Sequence, residues 1–245
     1  MAKIVECIPN ISEGRRTEVV EACIGVIKEV PGVILLDYSS DPSHNRSVIT
    51  MVGEPEQVAE AAFRLAKAAR DNIDLTVHTG EHPRMGAIDV IPFVPIKEMT
   101  VAECVELSKT VGERIHPTAG VVAVGARAPL VAYNINLSTS DIKIADKIAK
   151  IIRERSGGFR HVKALGVMLE DRNIAQVSIN MCNYEKTPLY RVFELVRIEA
   201  ARYGVTITGS EIIGLAPMNA LIDTAEYYLQ LEGFSKAQVL ENRLM

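Results

Sequence analysis

The apolar pattern of this chain runs twice through the order strand, helix, strand, strand, helix, strand, and few folds satisfy that order. In the first pass, Ile4 to Ile8 is a short apolar run ended by Pro9-Asn10. Arg15 to Val30 follows at helical spacing, with Val19, Val20, Cys23, Ile24, Ile27 and Val30 near one face, and Pro31-Gly32 stops it. Val33 to Leu36 predicts a buried strand ending at Asp37, and Val48 to Val52 a second strand stopped by Gly53. Glu54-Pro55-Glu56 opens the next helix, because proline fits a first turn and carboxylates favour the positive end of the dipole. Ile88 to Ile96 closes the pass as a strand whose Pro92 and Pro95 suit an edge or a bulge.

The second pass begins with Leu130 to Leu137 and a helix over Ser138 to Arg155. Val162 to Leu169 and Ile174 to Met181 then predict a hairpin across Glu170-Asp171-Arg172-Asn173. Thr187 caps a helix that Gly204 ends, and a strand starts at Val205. Two split β-α-β units of the ferredoxin-like βαββαβ kind are the expected architecture, an α/β chain of the α+β class. Sheets with helices on one face only leave the other to be covered, so the expectation is two sheets facing a central cleft with the helices outside. The halves are placed at 1–125 and 126–245. A helix over Val101 to Ile115 and the stretch Gly120 to Gly125 join them, and helical patterns over Pro217 to Leu231 and Ser235 to Leu244 finish the chain.

Composition removes several function classes. The 27 basic and 31 acidic side chains leave a net charge of −4, which offers no footprint for nucleic acid. Trp is absent and aromatics are few, so stacking platforms for single strands are not expected either. No apolar run approaches the roughly 18 residues of a membrane span. Met1 to Glu6 goes straight into a strand pattern, so no signal peptide is expected. Cys7, Cys23, Cys104 and Cys182 lie far apart without a Cys-x-x-Cys pair, as for thiols in a reducing cytoplasm.

The chemistry concentrates in Thr76 to Gly86, where His78, Glu81, His82 and Arg84 crowd between Gly80, Pro83 and Gly86. Gly80 and Pro83 oppose a helix, so this is a loop held between regular elements. A loop imidazole such as His82 can take and return a proton near neutral pH, with Glu81 and Asp89 near enough in sequence to orient it. The bland reading is a histidine satisfied by local backbone. His78 and His82, four apart, with His116 as a third ligand, raise a metal-dependent hydrolase. The His-Glu-x-x-His pattern needs a helix, however, so no metal is expected. Asp37 to Arg46 is a second polar cluster, in which Arg46 can fork onto a carboxylate, against the alternative of an Asx-turn at Asp41 and Asn45. Arg84 and Arg127 are further anion-binding candidates. Gly120 to Gly125 matches neither phosphate-loop pattern, and no Gly-x-Ser-x-Gly elbow occurs.

The strings Val5 to Gly14, Asn45-Arg46, Gly80 to Gly86, Ala132 to Leu137, Asn173 to Ser178 and Gly209 to Leu215 together resemble the glutamate formiminotransferase family. The resemblance covers most of the chain. It implies two similar subdomains in a homodimer, small-molecule substrates, and tetrahydrofolate as co-substrate. It also implies transfer of a formimino group from N-formimino-L-glutamate to the folate N5, within histidine degradation. His82 falls on the family's catalytic histidine. Asn45, Arg46, Glu81, Arg84, Gly120, Gly125, Arg127, Asn134 and Asn136 become the expected substrate- and folate-binding residues. Family members carry a long insert where this chain has only His116 to Gly120, and the cyclodeaminase domain fused in some relatives is not expected here. A non-catalytic folate- or anion-binding relative of the same fold is the alternative.

Overall fold

The computed structural model describes residues 2–81 and 83–244, with the side chains of all of these except 118, 119, 243 and 244. His82 therefore lies outside the described residues. The chain divides into two compact units, one ending at Pro129 and one starting at Leu130.

The first unit holds β1 (Ile4–Cys7), β2 (Asn10–Ile11), α1 (Thr17–Lys28), β3 (Ile34–Asp41), β4 (Arg46–Gly53), α2 (Pro55–Asn72), β5 (Ile88–Lys97), α3 (Val101–Ala119) and β6 (Ala123–Ala126). β1 and β2 are one strand interrupted at Ile8-Pro9, and both pair antiparallel with β4 on one side and β5 on the other. β3 pairs antiparallel with the outer side of β4. The resulting order, β3, β4, β1/β2, β5, is that of the ferredoxin-like fold. β6 then adds in parallel to β5, with α3 as the crossover that a parallel pair requires. Val5, Cys7, Ile49, Met51, Ile91 and Phe93 point to one face of this sheet. There they form a core with Val20, Ile24 and Ile27 of α1 and Val58, Ala62 and Leu65 of α2.

The second unit holds β7 (Val131–Leu137), α4 (Ile142–Ile152), β8 (Val162–Leu169), β9 (Ile174–Met181), α5 (Leu189–Ala201), β10 (Ile207–Ile213), α6 (Met218–Leu229) and the short α7 (Glu241–Leu244). Its sheet order, β10, β7, β9, β8, is again ferredoxin-like and wholly antiparallel. Val131, Tyr133, Ile135 and Leu137 of β7 pack with Ile148 and Ile152 of α4 and Val192 and Val196 of α5.

Several boundaries differ from the sequence reading. β3 runs on from Asp37 to Asp41, because its polar half is an edge strand that pairs with Arg46–Thr50. β5 is interior rather than an edge, because β6 covers it; β6 pairs only with Val90 to Phe93 of β5, and the register of β1 on β5 shifts beside Pro95. α3 continues past Ile115 through Pro117 and ends at Gly120, whose φ is 71°. Thr187 does not cap α5: its hydroxyl donates to the Arg160 carbonyl, and Pro188 holds the cap position. α4 starts later than expected, where the Asp141 carboxylate accepts from the Lys143 amide. No helix among the described residues is long and apolar enough to cross a membrane.

Candidate functional site

At one end of the first sheet, three segments distant in sequence are tied into a single polar cluster. They are Asn10 to Arg16 after β2, the turn Pro42 to Asn45 between β3 and β4, and the loop His78 to Asp89 that leads into β5. The turn requires Asn45 at φ 47°, a conformation asparagine tolerates. The Asn45 amide is a clamp. Its Oδ1 accepts from Gly14 N at 2.9 Å and its Nδ2 donates to the Thr79 carbonyl at 2.9 Å. Gly14 and Gly80 permit this approach, since a Cβ at either would sit 2.4 Å from a backbone oxygen, that of Asp41 or of His44. Gly86 is held likewise against the Val121 carbonyl, which a Cβ would meet at 2.0 Å.

Arg46 opens β4 and is largely buried. Its Nη1 lies 2.7 Å from Asp89 Oδ2, and its Nε donates to Asn10 Oδ1 at 3.0 Å. Burial draws the Arg46 pKa down, as does the neighbouring Arg84 charge, while Asp89 opposes both. Asp89, 4% exposed, also accepts the Met85 amide on its other oxygen at 2.7 Å. Asp89 is therefore the counter-ion of Arg46 and an anchor for the loop. Arg84 turns back onto the β3–β4 turn, where Nη2 donates to the His44 carbonyl at 3.1 Å.

His78 is wedged between two neighbours: its Nε2 lies 3.2 Å from the Asn45 carbonyl, and Arg84 Nη1 lies within hydrogen-bond distance of both ring nitrogens. Burial first, and the Arg84 charge second, hold its pKa below the usual imidazole value, so the ring is neutral. The Arg84 guanidinium against the ring nitrogens occupies the place a metal would need. Among the described residues no group of three His, Cys, Asp or Glu side chains gathers as a metal site.

Nearby carboxylates are engaged by their own neighbours. Burial pushes the Glu13 pKa up, but the amides of Arg16 and Arg15 and the Arg16 side chain outweigh it and leave it lowered. Asp41 is held low chiefly by the His44 ring at 2.8 Å. Arg15 donates to the Pro42 carbonyl at 2.7 Å. With Glu13 and Asp41 so engaged, Asp89 is the one buried carboxylate that both Arg46 and Arg84 face, and two guanidiniums sharing one counter-ion suit an anionic small molecule.

Of the expected binding residues, Asn45, Arg46, Glu81 and Arg84 come together here. Glu81 is exposed, with its amide on the Ser43 carbonyl at 3.2 Å and no side-chain hydrogen bond among the described residues. Gly120 lines a separate surface pocket of about 690 Å³ with Ser108, Glu113, His116 and Val124. Gly125 lies in β6 opposite Pro92. Arg127 follows β6, with its amide on the Phe93 carbonyl, and its charge offsets the burial that raises the Glu6 pKa. Asn134 and Asn136 belong to the second unit, on β7. Ser12, Glu13 and Gly14 are parts of the cluster that residue chemistry alone does not single out. Ser12 reaches the Gly86 carbonyl with its hydroxyl at 2.8 Å and the Ala87 carbonyl with its amide.

Two ferredoxin-like units, the first with a guanidinium-rich corner built from glycine-tight loops, define an α+β protein equipped for small anionic ligands. The chain belongs to the formiminotransferase family. Residues 4–128 match the family model for the formiminotransferase domain, N-terminal subdomain, and residues 132–243 match that for the formiminotransferase domain. The chain is 53% identical to the glutamate formimidoyltransferase of Streptococcus pyogenes, with all of both chains covered. It is 41% identical to the glutamate formimidoyltransferase of Thermoplasma acidophilum, over 98% of this chain and 97% of that one. To the mouse formimidoyltransferase-cyclodeaminase it is 35% identical over 95% of this chain but only 53% of the mouse protein. The Streptococcus alignment runs over 298 positions against 245 residues here, so 53 positions have no counterpart in this chain.

Proposed function

We propose that the chain is a glutamate formimidoyltransferase, moving the formimino group from N-formimino-L-glutamate to N5 of tetrahydrofolate in histidine degradation. Full-length identity of 53% to a protein of that activity carries the reading. The guanidinium corner supports it, because both substrates bring carboxylates that Arg46 and Arg84 suit.

In the reaction, folate N5 attacks the amidine carbon and a tetrahedral adduct forms. The bond from that carbon to the glutamate nitrogen then breaks. N5 loses a proton and the departing glutamate nitrogen gains one, so a single acid–base group can serve both steps. His82 is our candidate for that group, because the family resemblance places the catalytic histidine there and the loop's other histidine, His78, is engaged by the Asn45 carbonyl and Arg84. Asn45 holds the loop in place through its two amide bonds, and Glu81, Gly120, Gly125, Arg127, Asn134 and Asn136 are proposed ligand contacts. The same reading makes tetrahydrofolate a co-substrate with no metal, and the enzyme a cytoplasmic homodimer.

The test is steady-state turnover with both substrates, followed through formimino-folate absorbance and glutamate release. Turnover by the wild-type chain that His82→Ala reduces at least a hundredfold is expected. Tight folate binding with no turnover would instead favour a non-catalytic binding protein, the reading to which the 53 absent positions point.

A further inference from the structure

One face of the second sheet carries polar side chains in an otherwise apolar setting. Asn134 of β7 stands opposite Ser178 of β9 and Glu211 of β10, and Asn136 stands opposite Gln176. Opposed residues share a face, and the alternate positions Ile135, Leu137 and Val177 point into the core. Asn134 and Asn136 are each 6% exposed and Gln176 is fully buried, so every polar atom among them needs a partner.

The donors and acceptors do not balance. Gln176 Nε2 donates to Asn136 Oδ1 and to Glu211 Oε1, both at 2.9 Å. Asn134 Nδ2 donates to the same Glu211 oxygen at 3.2 Å. These bonds fix the Gln176 amide, since turning it over would set its oxygen against the Glu211 carboxylate. Held that way, Gln176 Oε1 is buried and meets no donor among the described residues. No Lys, Arg or His among the described residues pairs with Glu211 either. A buried orphan acceptor beside a carboxylate without a cation is a surplus of acceptors, and such a surplus is costly unless something supplies N–H groups.

We infer that this face recognises a planar N–C–N edge bearing two N–H donors, one directed to Gln176 Oε1 and the other to the Glu211 carboxylate. Two molecules of the proposed reaction carry such an edge: the amidine of formimino-glutamate and the 2-amino-pyrimidinone end of folate. The ligand's identity rests on the transferase reading; the surplus of acceptors does not. Gln176 and Glu211 take the two N–H groups of the edge, and Asn134 and Asn136, besides bordering the ligand, hold those two side chains in place.

The test is calorimetric titration of the full chain and of Gln176→Met and Glu211→Gln. The probes are folic acid, its analogue lacking the 2-amino group, N-formimino-L-glutamate and L-glutamate. Each substitution is expected to weaken one edge-bearing ligand about tenfold or more, and its edge-free counterpart much less. Selective loss for folic acid assigns the edge to the pterin, and selective loss for formimino-glutamate assigns it to the amidine. If Gln176→Met fails to fold by circular dichroism, Glu211→Gln, at a half-exposed position, decides alone. Unchanged affinities, equal losses for both members of a pair, or no binding by the wild-type chain each overturn the inference; unchanged affinities would leave Gln176 Oε1 to a buried water only. Turnover with affinities indifferent to both substitutions refutes this inference alone. Edge-selective binding without turnover refutes the transferase reading alone.

Discussion

Removing the Asp89 carboxylate should cost the first unit more stability than any single surface charge could. Asp89 is 4% exposed, and its two oxygens serve Arg46 Nη1 and the Met85 amide, each at 2.7 Å. Truncation leaves a buried guanidinium without its counter-ion, a loss of about 3–5 kcal/mol when nothing compensates. Arg46 keeps its bond to Asn10 and some contact with solvent, which places Asp89→Ala near the lower end, at about 3 kcal/mol. Asp89→Asn preserves an acceptor for Met85 and should cost about 2 kcal/mol. The chain has no Trp, so urea unfolding is best followed by far-ultraviolet circular dichroism. At a slope of about 2 kcal/mol per molar urea, the Asp89→Ala midpoint should fall by about 1.5 M. The double change Arg46→Met with Asp89→Leu should recover much of that loss, because it removes both charges together. A midpoint shift for Asp89→Ala below about 0.3 M would refute the reasoning, since the pair would then be no better than a solvated surface bridge.

Gly86→Ala should cost about 3 kcal/mol in the same assay, because its Cβ would meet the Val121 carbonyl at 2.0 Å. Gly125→Ala, where a Cβ meets nothing within 4 Å, should stay within about 0.5 kcal/mol. Thr100→Ala breaks the capping box that Thr100 and Glu103 form on α3 and should lower stability by about 1 kcal/mol, measured as a thermal midpoint. His78 has a folded-state pKa below its unfolded value, so the unfolded chain takes up its proton first as pH falls. Its contribution is complete above the unfolded value near 6.5 and is lost as pH drops through and below it. His78→Gln should therefore flatten the stability–pH curve below about pH 6.5, and an unchanged slope would contradict the neutral assignment.

The double βαββαβ order was legible because its punctuation is local. Pro31-Gly32, Gly53 and the Glu170–Asn173 turn each mark a boundary within a few residues, and the β8–β9 hairpin falls where the sequence puts it. What escaped depends on distant partners. Ala123–Ala126 has no strand signature of its own and becomes one only by docking on β5. The polar Asp37–Asp41 looks like loop, yet it pairs along β4. The guanidinium corner was half legible: Asn45, Arg46 and Arg84 stand out by type. That Asp89 pairs with Arg46, or that His78 is wedged between Arg84 and the Asn45 carbonyl, follows only from the fold. Gln176 and Glu211 carried one usable signal, polar residues on alternate positions of apolar strands beside Asn134 and Asn136.

Carbon-13 in the formimino group of formimino-glutamate, followed by nuclear magnetic resonance in the presence of tetrahydrofolate, tests the central claim most directly. Our account predicts that the label moves onto folate N5 with the wild-type chain and stays on glutamate with His82→Ala. Label that remains on glutamate with the wild-type chain, or that appears in a hydrolysis product with ammonia, would contradict it.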